Sequence, residues 1–336
     1  MERILKDKTI LITGGTGFLG QALTKEILKF NPKNIRIFSR DEVKHYKMQQ
    51  MFAEHKDKLR FFLGDVRDFE RLEGAMEGVD IAIHAAALKR LDMIEYNVEE
   101  AIKTNVLGTL NFAKACIKQN IEKGIFISTD KACSPVNTYG ACKFIGERII
   151  TNMNYSKGSK KTILAVVRYG NVLESTGSVI PFFKNKLMNN EDVLITDVNM
   201  TRFFITPVEA VKLIFDAIKY SAGGEVFIPK LSAFKIMNLY KVLKTSLNST
   251  SNYKEIGVRP GEKIHELMLN ETEIRRTIDY QNRFIIQSEI ENYQKIIKTP
   301  YGVKGKFLEG MTKYSSENSI MSDGELKKLL LEIGVI

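Results

Sequence analysis

The residues best equipped for chemistry lie between Ile127 and Lys143, in the run Ile-Ser-Thr-Asp-Lys-Ala-Cys-Ser-Pro-Val-Asn-Thr-Tyr-Gly-Ala-Cys-Lys. Tyr139 and Lys143 are spaced to share one face of a helix. A lysine ammonium beside a phenol favours the phenolate and draws down a pKa that is otherwise about 10. A phenol tuned in this way can take the proton of a hydroxyl while hydride leaves the same carbon. Thr129, Asp130 and Lys131 follow an apolar run, Gly124 to Ser128, that reads as a strand. They would project from its carboxyl end, where open α/β sheets bind ligands. A Tyr-x-x-x-Lys pair is common in ordinary helices, so its weight depends on a dinucleotide site elsewhere in the chain.

Such a site is present near the start. Thr9 to Thr13 is a short β-rich run, followed by Gly14-Gly15-Thr16-Gly17-Phe18-Leu19-Gly20 and a helical pattern through Ala22, Leu23, Ile27 and Leu28. Glycines 14, 17 and 20 permit a tight turn, close approach of backbone to a pyrophosphate, and close helix–strand packing. The helix N-terminus would then offer N–H groups and a positive dipole end to the phosphates. A second strand, Ile35 to Ser39, ends at Ser39-Arg40, with Lys44 one turn onward. An acid at this point would suit the ribose hydroxyls of NAD. A hydroxyl with a guanidinium suits a 2′-phosphate, so the pattern favours NADP, with Asp41 adjoining. A third strand, Leu59 to Val66, carries Asp65 at its end, in place for adenine. A fourth, Val79 to His84, ends in Ala85-Ala86-Ala87, small enough for a cofactor to approach the backbone. His84 reads as a packed strand-end residue and Asn105 as a helix residue bracing backbone or water. Strands alternate with helices through residue 150, which implies a parallel, doubly wound sheet, a Rossmann-like α/β fold.

Composition bounds the rest. The chain has 336 residues, 44% of them hydrophobic, enough for one large α/β domain with an appended part. No run nears the roughly 18 apolar residues that span a bilayer. The charged start, Met1 to Asp7, leads straight into a strand, so no signal peptide is expected. Cys116, Cys133 and Cys142 lack metal-ligand spacing and fit reduced, core-like thiols in a cytoplasm. The net charge is +10, but the lysines are dispersed. That argues for anionic small molecules rather than nucleic acid or a membrane.

Beyond the strand Thr162 to Val167 the regular alternation weakens. Val179 to Phe183 leads a helix, Met200 to Ile205 precedes another near Pro207, and Glu225 to Pro229 resembles a late strand. Gly257 to Lys263 is a turn-rich stretch leading into a helix at 264–268. Residues 271–320 are polar and irregular, and Asp323 to Leu330 reads as a terminal helix capped by Ser322. The expected organisation is an NADP-binding domain with the catalytic segment over residues 1–170. A mainly substrate-binding part, interleaved with the sheet, would occupy residues 171–336.

Taken together, these motifs resemble the extended short-chain dehydrogenase/reductase family, and within it the inverting UDP-N-acetylglucosamine 4,6-dehydratases of pseudaminic acid synthesis. The marks are Thr-Gly-Gly-Thr-Gly at 13–17, Ser-Arg-Asp-Glu at 39–42, Gly-Asp-Val-Arg-Asp at 64–68 and His-Ala-Ala-Ala at 84–87. They continue with Ser-Thr-Asp-Lys-Ala at 128–132, Asn-x-Tyr-Gly-Ala-x-Lys at 137–143, Arg-Tyr-Gly-Asn-Val at 168–172, Met-Thr-Arg-Phe at 200–203 and Arg-Pro-Gly-Glu-Lys at 259–263. Similar dTDP-glucose dehydratases carry Glu where Lys131 stands. Membrane-linked retaining dehydratases tend to have Met where Tyr139 stands. The chain departs from the family pattern at Glu174 and Thr176 and at Arg90-Leu91-Asp92, near the expected sugar pocket.

The resemblance implies a redox-neutral dehydration. Tyr139, supported by Lys143, would deprotonate the C4 hydroxyl, with Thr129 bonded to the C4 oxygen. Lys131 would take the C5 proton and Asp130 would protonate the departing C6 hydroxyl. It implies cofactor contacts from Gly14, Thr16, Gly17, Phe18, Leu19, Ser39, Arg40, Lys44, Asp65, Val66, Ala85, Ala86, Tyr139 and Lys143. Substrate contacts would come from Lys89, Thr129, Asn171, Ser178, Val179, Arg202, Arg259 and Glu262. It also implies a cytoplasmic homo-oligomer, possible as a hexamer, and no metal. A 4-epimerase of the same fold would need Tyr139 and Lys143 but neither Asp130 nor Lys131 as acid and base. A non-catalytic NADP sensor would have no use for the tyrosine.

Overall fold

A computed structural model describes residues 1–173, 179–289 and 305–336. Its centre is a ten-stranded sheet. Six parallel strands come from the first half: β1 (Thr9–Thr13), β2 (Asn34–Ser39), β3 (Leu59–Leu63), β4 (Ile81–His84), β5 (Lys123–Thr129) and β6 (Ile163–Tyr169). They lie in the order 3-2-1-4-5-6. This is the doubly wound, Rossmann-like arrangement that the sequence implies, and the strand order reverses between β1 and β4.

Residue type explains the burial. Along β1, β2, β4 and β5, the residues Ile10, Ile12, Ile37, Ile83 and Ile125 face one core. Their neighbours Leu11, Phe38, Ala82 and Phe126 face the other. Side chains alternate across a strand, so a near-continuous apolar run means a sheet covered on both faces. The helices Phe18–Leu28 and Pro207–Tyr220 supply Leu23, Ile27, Ala210, Ile214 and Ile218 to the first core. A third apolar cluster joins Leu173, Ile180, Phe183, Leu187, Phe204, Leu239, Leu243, Leu326 and Leu330 within the C-terminal half.

The far edge of the sheet comes from later in the chain. Val226–Pro229 pairs parallel with β6, and Arg283–Ile286 and Thr277–Tyr280 then add antiparallel. The two antiparallel strands come from a stretch that reads as irregular, because their alternation is short and interrupted by charge. A smaller sheet joins Ala233–Lys235, Thr201–Ile205 and the two-residue β7 (Asn171–Val172). The terminal helix spans Asp323–Glu332 and has Ser322 as its cap, in a capping box with Glu325.

One local expectation fails. Residues 264–268 do not form a helix. Leu267–Leu269 is a strand paired antiparallel with Tyr314–Ser315, and the Glu266 N–H donates to Ser316 Oγ at 2.9 Å. A partner about fifty residues away captures the backbone groups that a helix would have used.

Candidate active site

The crevice opens where β1 and β4 part. Gly14, directly after β1, has φ +65°, and a Cβ there would stand 2.8 Å from the Ala86 Cα. The turn is therefore closed to other residues both by conformation and by the backbone that follows β4. The helix Phe18–Leu28 begins at Gly17 with no side chain capping it. Its first N–H groups face the turn, as an anion site requires. Thr16 Oγ1 and Ser39 Oγ are 2.8 Å apart, which ties the glycine turn to the end of β2. Arg40 is exposed, with its guanidinium 3.7 Å from the Asp65 carboxylate. Burial opposes ionisation of Asp65, but Arg67 and Arg40 outweigh it and hold the carboxyl below its usual range. Lys44 is paired with Asp41 at 3.2 Å. Val66 is buried against Gly108.

His84 is fully buried between Thr13 and Thr109, stacked on Phe112. Burial, with Lys143 nearby, lowers its pKa to about 3, so it is a neutral packing residue as its position in the sequence suggests. Asn105 braces the loop after β4, exchanging two 2.8 Å bonds with the backbone of Leu88.

The catalytic candidates converge at the end of β5. Thr129 Oγ1 donates to Asp130 Oδ1 at 2.9 Å, and Lys131 Nζ donates to the same oxygen at 3.1 Å. Asp130 is fully buried and its Oδ2 has no partner among the described residues. Burial works against a charge on Lys131, but the carboxylates of Asp130 and Glu266 outweigh it, against Arg202, and hold the ammonium well above its usual range. The helix Thr138–Tyr155 starts at Asn137, whose side chain accepts from Gly140 N–H at 2.7 Å. A Cβ at Gly140 would lie 2.3 Å from the Lys131 carbonyl, so glycine permits the helix to press against the catalytic turn.

Tyr139 is half-buried on this helix, close to Thr129. The expected lowering of its phenol by Lys143 is not found. Burial pushes the phenol up to about 12; Lys131 and Thr129 pull it down and Asp130 pushes it up. Lys143 instead donates to the Ile127 carbonyl at 2.7 Å and lies 4.5 Å over the Phe126 ring. Burial draws Lys143 down to about 7, against the pull of Glu147. Shared helical phase brings the two side chains to one face, but burial decides their charges.

Beside this pair is a cavity of about 180 Å³, lined by Leu91, Lys131, Asn137, Asn171, Arg202, Glu262 and Glu266, among others. Asn171 Oδ1 accepts from Lys131 at 3.4 Å. Arg202 is buried and donates to the carbonyls of Thr201 and Ile264. The Oε2 atoms of Glu262 and Glu266 are buried with no partner among the described residues. Of the residues the sequence singles out for substrate, Asn171, Arg202 and Glu262 thus meet at Lys131. Lys89 and Arg259 are exposed and do not line the cavity, and Val179 begins the helix Val179–Met188. Ser178, Glu174 and Thr176 lie outside the described residues.

Sequence reasoning misses Glu266 and the tether at Asn137, whose Nδ2 donates to the Gly261 carbonyl at 2.7 Å. It also misses a buried network behind the site. Arg168 bonds Glu147 through Nε at 2.9 Å and Nη2 at 2.6 Å, and Glu273 through Nη1 at 3.0 Å and Nη2 at 2.7 Å. Ser128 Oγ joins it through Glu147 at 2.6 Å. The signal available was Arg168 in an otherwise apolar strand, since a buried guanidinium demands carboxylates.

Residues 10–288 match the family model described as "Polysaccharide biosynthesis protein". The chain belongs to this family. It is 42% identical, over 93% of both chains, to a "UDP-N-acetylglucosamine 4,6-dehydratase (inverting)" of Campylobacter jejuni subsp. jejuni serotype O:23/36 (strain 81-176). It is 38% identical, over 98% of its length and 97% of the relative's, to a "UDP-glucose 4-epimerase" of Rickettsia bellii (strain RML369-C). Among solved structures, Pen from Bacillus thuringiensis superposes with a TM-score of 0.90 at 37% identity, covering 98% of this chain and 99% of Pen. DesIV, a dTDP-glucose 4,6-dehydratase from Streptomyces venezuelae solved with NAD and TYD bound, shares the fold at 19% identity. Its TM-score is 0.71, over 85% of this chain and 94% of DesIV. The likeness to inverting dehydratases read from the motifs therefore extends over nearly the whole chain.

Proposed function

We propose that this chain removes water from UDP-N-acetylglucosamine, giving the 4-keto-6-deoxy sugar with inverted C5 as the first step of pseudaminic acid synthesis. The observation that carries the reading is the 3.1 Å hydrogen bond between Asp130 and Lys131, beside Tyr139 and at the mouth of a dinucleotide cradle. The 42% identical Campylobacter relative bears that activity in its name.

The glycine turn fits a nicotinamide dinucleotide, since Gly14 lets the turn pack against the Ala85–Ala86 backbone and the helix behind it begins without a capping side chain. Gly14, Thr16, Gly17, Phe18 and Leu19 would hold the pyrophosphate. Asp65 and Val66 would lie by adenine, and Ala85, Ala86, Tyr139 and Lys143 on the nicotinamide side. Ser39, Arg40 and Lys44 favour the 2′-phosphate of NADP. When bound, the nicotinamide would supply a hydride acceptor for C4 and a hydride donor for C6.

The protein's own residues manage the protons. With a cationic nicotinamide bound beside it, Tyr139 would act as the phenolate, which takes the C4 hydroxyl proton, and the ketone that results acidifies C5–H. At rest the Asp130–Lys131 pair is an ion pair. One proton moved along their shared hydrogen bond turns it into the amine and carboxylic acid that an elimination needs. Lys131 then takes the C5 proton while Asp130 gives its proton to the C6 hydroxyl, which leaves as water. The pair ends as ammonium and carboxylate, as it began, and the proton held by Tyr139 is returned, directly or through Lys131, to the opposite face of C5 as hydride reaches C6. Arg202 would answer the diphosphate, Asn171 the sugar or its diphosphate and Glu262 the ribose hydroxyls, with Lys89, Val179 and Arg259 at the periphery. We read the chain as a cytoplasmic homo-oligomer, supported by its buried free cysteines and by the exposed Met93, Tyr96 and Leu107. No helix among the described residues is long and apolar enough to cross a membrane.

Incubation with UDP-N-acetylglucosamine in deuterated water, followed by mass spectrometry and NMR, tests the reading. A product lighter by one water, with deuterium at an inverted C5, supports it. Retained configuration removes the inverting assignment. The 38% identity to a named 4-epimerase favours a second reading, and a C4-inverted sugar with no water lost would establish it.

A further inference from the structure

We propose that Glu266 is a positioning residue for Lys131: its carboxylate aims the Lys131 nitrogen across the cavity and stabilises the ammonium that forms there when a substrate proton is taken. The inference rests on the reading of Lys131 as the C5 base.

The geometry is specific. Lys131 Nζ lies between two carboxylates from distant parts of the chain, Asp130 Oδ1 at 3.1 Å and Glu266 Oε1 at 3.7 Å. Glu266 is only 2% exposed, and the same Oε1 is 3.7 Å from Arg202 Nε. Its other oxygen, Oε2, is buried without a partner among the described residues, and the residue lines the cavity. Its backbone is pinned, with the N–H donating to Ser316 Oγ and the carbonyl accepting from Ser316 N–H, both at 2.9 Å. The side chain is therefore held in place by the strand pairing that replaced the expected helix.

The charges around Lys131 show what Glu266 does. Asp130 faces it from the end of β5, Tyr139 from the helix Thr138–Tyr155, Asn171 from β7 and Arg202 from Thr201–Ile205. Glu262 and Lys263 line the same cavity, with Lys263 Nζ turned to the Cys133 carbonyl. His265 is directed elsewhere, to Thr201 and Glu317. When the C5–H bond breaks and an N–H bond forms, Lys131 gains a positive charge while Asp130 loses its proton to the leaving hydroxyl. That new cation faces Arg202, and Glu266 is the carboxylate shared between them. The same carboxylate also stabilises the resting ammonium, so its effect on kcat comes through aim: it fixes where the amine stands when the proton is taken, with little effect on substrate affinity.

The test uses Glu266→Gln, which keeps the shape and removes the charge, and Glu266→Asp, which keeps the charge. Competitive labelling with acetic anhydride across the alkaline range, read by peptide mass spectrometry, titrates Lys131 without any substrate. The expected result is an acid dissociation constant about ten-fold larger in Glu266→Gln, with partial return in Glu266→Asp. In turnover, kcat falls about ten-fold or more with KM within about two-fold, and the falling alkaline limb of the pH profile, where the pair loses the one proton it shares, moves to lower pH. Unchanged Lys131 titration in folded, NADP-binding Glu266→Gln overturns the proposal, as does a loss of kcat with the pH limb unmoved. If the wild type does not turn over UDP-N-acetylglucosamine, the functional reading fails separately, and the labelling still decides whether Glu266 governs Lys131.

Discussion

The side-chain amide of Asn137 donates to the backbone carbonyl of Gly261 at 2.7 Å while its oxygen caps the helix that carries Tyr139. One residue thus ties the catalytic helix to the loop bearing Glu262 and Lys263. Asn137→Ser should keep the cap, leave the unfolding midpoint near wild type, and raise KM for the nucleotide sugar. Asn137→Ala should also cost about 1 kcal/mol of stability. Thermal unfolding with steady-state kinetics separates the two; an unchanged KM in both variants would remove the tether from the account.

Tyr139 and Asp130 are assigned to different steps. Tyr139→Phe should lower kcat by about 10²–10⁴ in any reaction that oxidises C4. Asp130→Asn should stop water loss to a similar degree while leaving NADP binding intact. A variant with Asn at 130 that retains most of its turnover would identify an epimerase.

Arg40 stands exposed at the end of β2, its guanidinium 3.7 Å from Asp65, at the place where a 2′-phosphate would lie. Arg40→Ala should weaken NADP about ten-fold and leave NAD nearly unchanged, as expected for a charge-assisted contact. Calorimetric titration with both dinucleotides measures this; equal effects on the two would assign NAD-type recognition.

Arg168→Met would strand Glu147 and Glu273 in the interior. The expected cost is about 3–5 kcal/mol at neutral pH, read by urea unfolding. Burial opposes the charge of Glu273, but Arg168 holds its carboxyl below the usual range. Its contribution is therefore present above the unfolded value of about 4.3 and is lost as pH falls through the lower folded value. The variant should lose that acid dependence.

His84 works in the same direction, beginning closer to neutrality. Its folded pKa of about 3 lies below its unfolded value, so under acid conditions the unfolded chain binds a proton that the folded chain refuses. Stability should drop by about 1.4 kcal/mol per pH unit below about 6.5, until the folded value is reached. His84→Phe should flatten that slope; an unaltered slope would show that other groups govern acid unfolding.

Much of this site could be read before any coordinates, because it is local. The glycine turn, Ser39-Arg40 and the Thr129-Asp130-Lys131 triplet each sit at the end of a strand, and strand ends on a parallel sheet point to one crevice by topology alone. The same holds for Asn105 and His84, whose packing roles follow from polar residues in apolar settings.

The partners of those residues were decided elsewhere. Lys143 bonds the Ile127 carbonyl rather than the phenol, because the helix lies close over β5 and burial leaves the amine little charge. Glu266 reaches Lys131 only because Leu267–Leu269 pairs with Tyr314–Ser315, and Arg168 finds Glu273 about a hundred residues away. Sequence spacing carries information over a turn of helix or a step of strand. Contacts across such distances, and the pKa values they set, depend on which surfaces the folded chain brings together and removes from water.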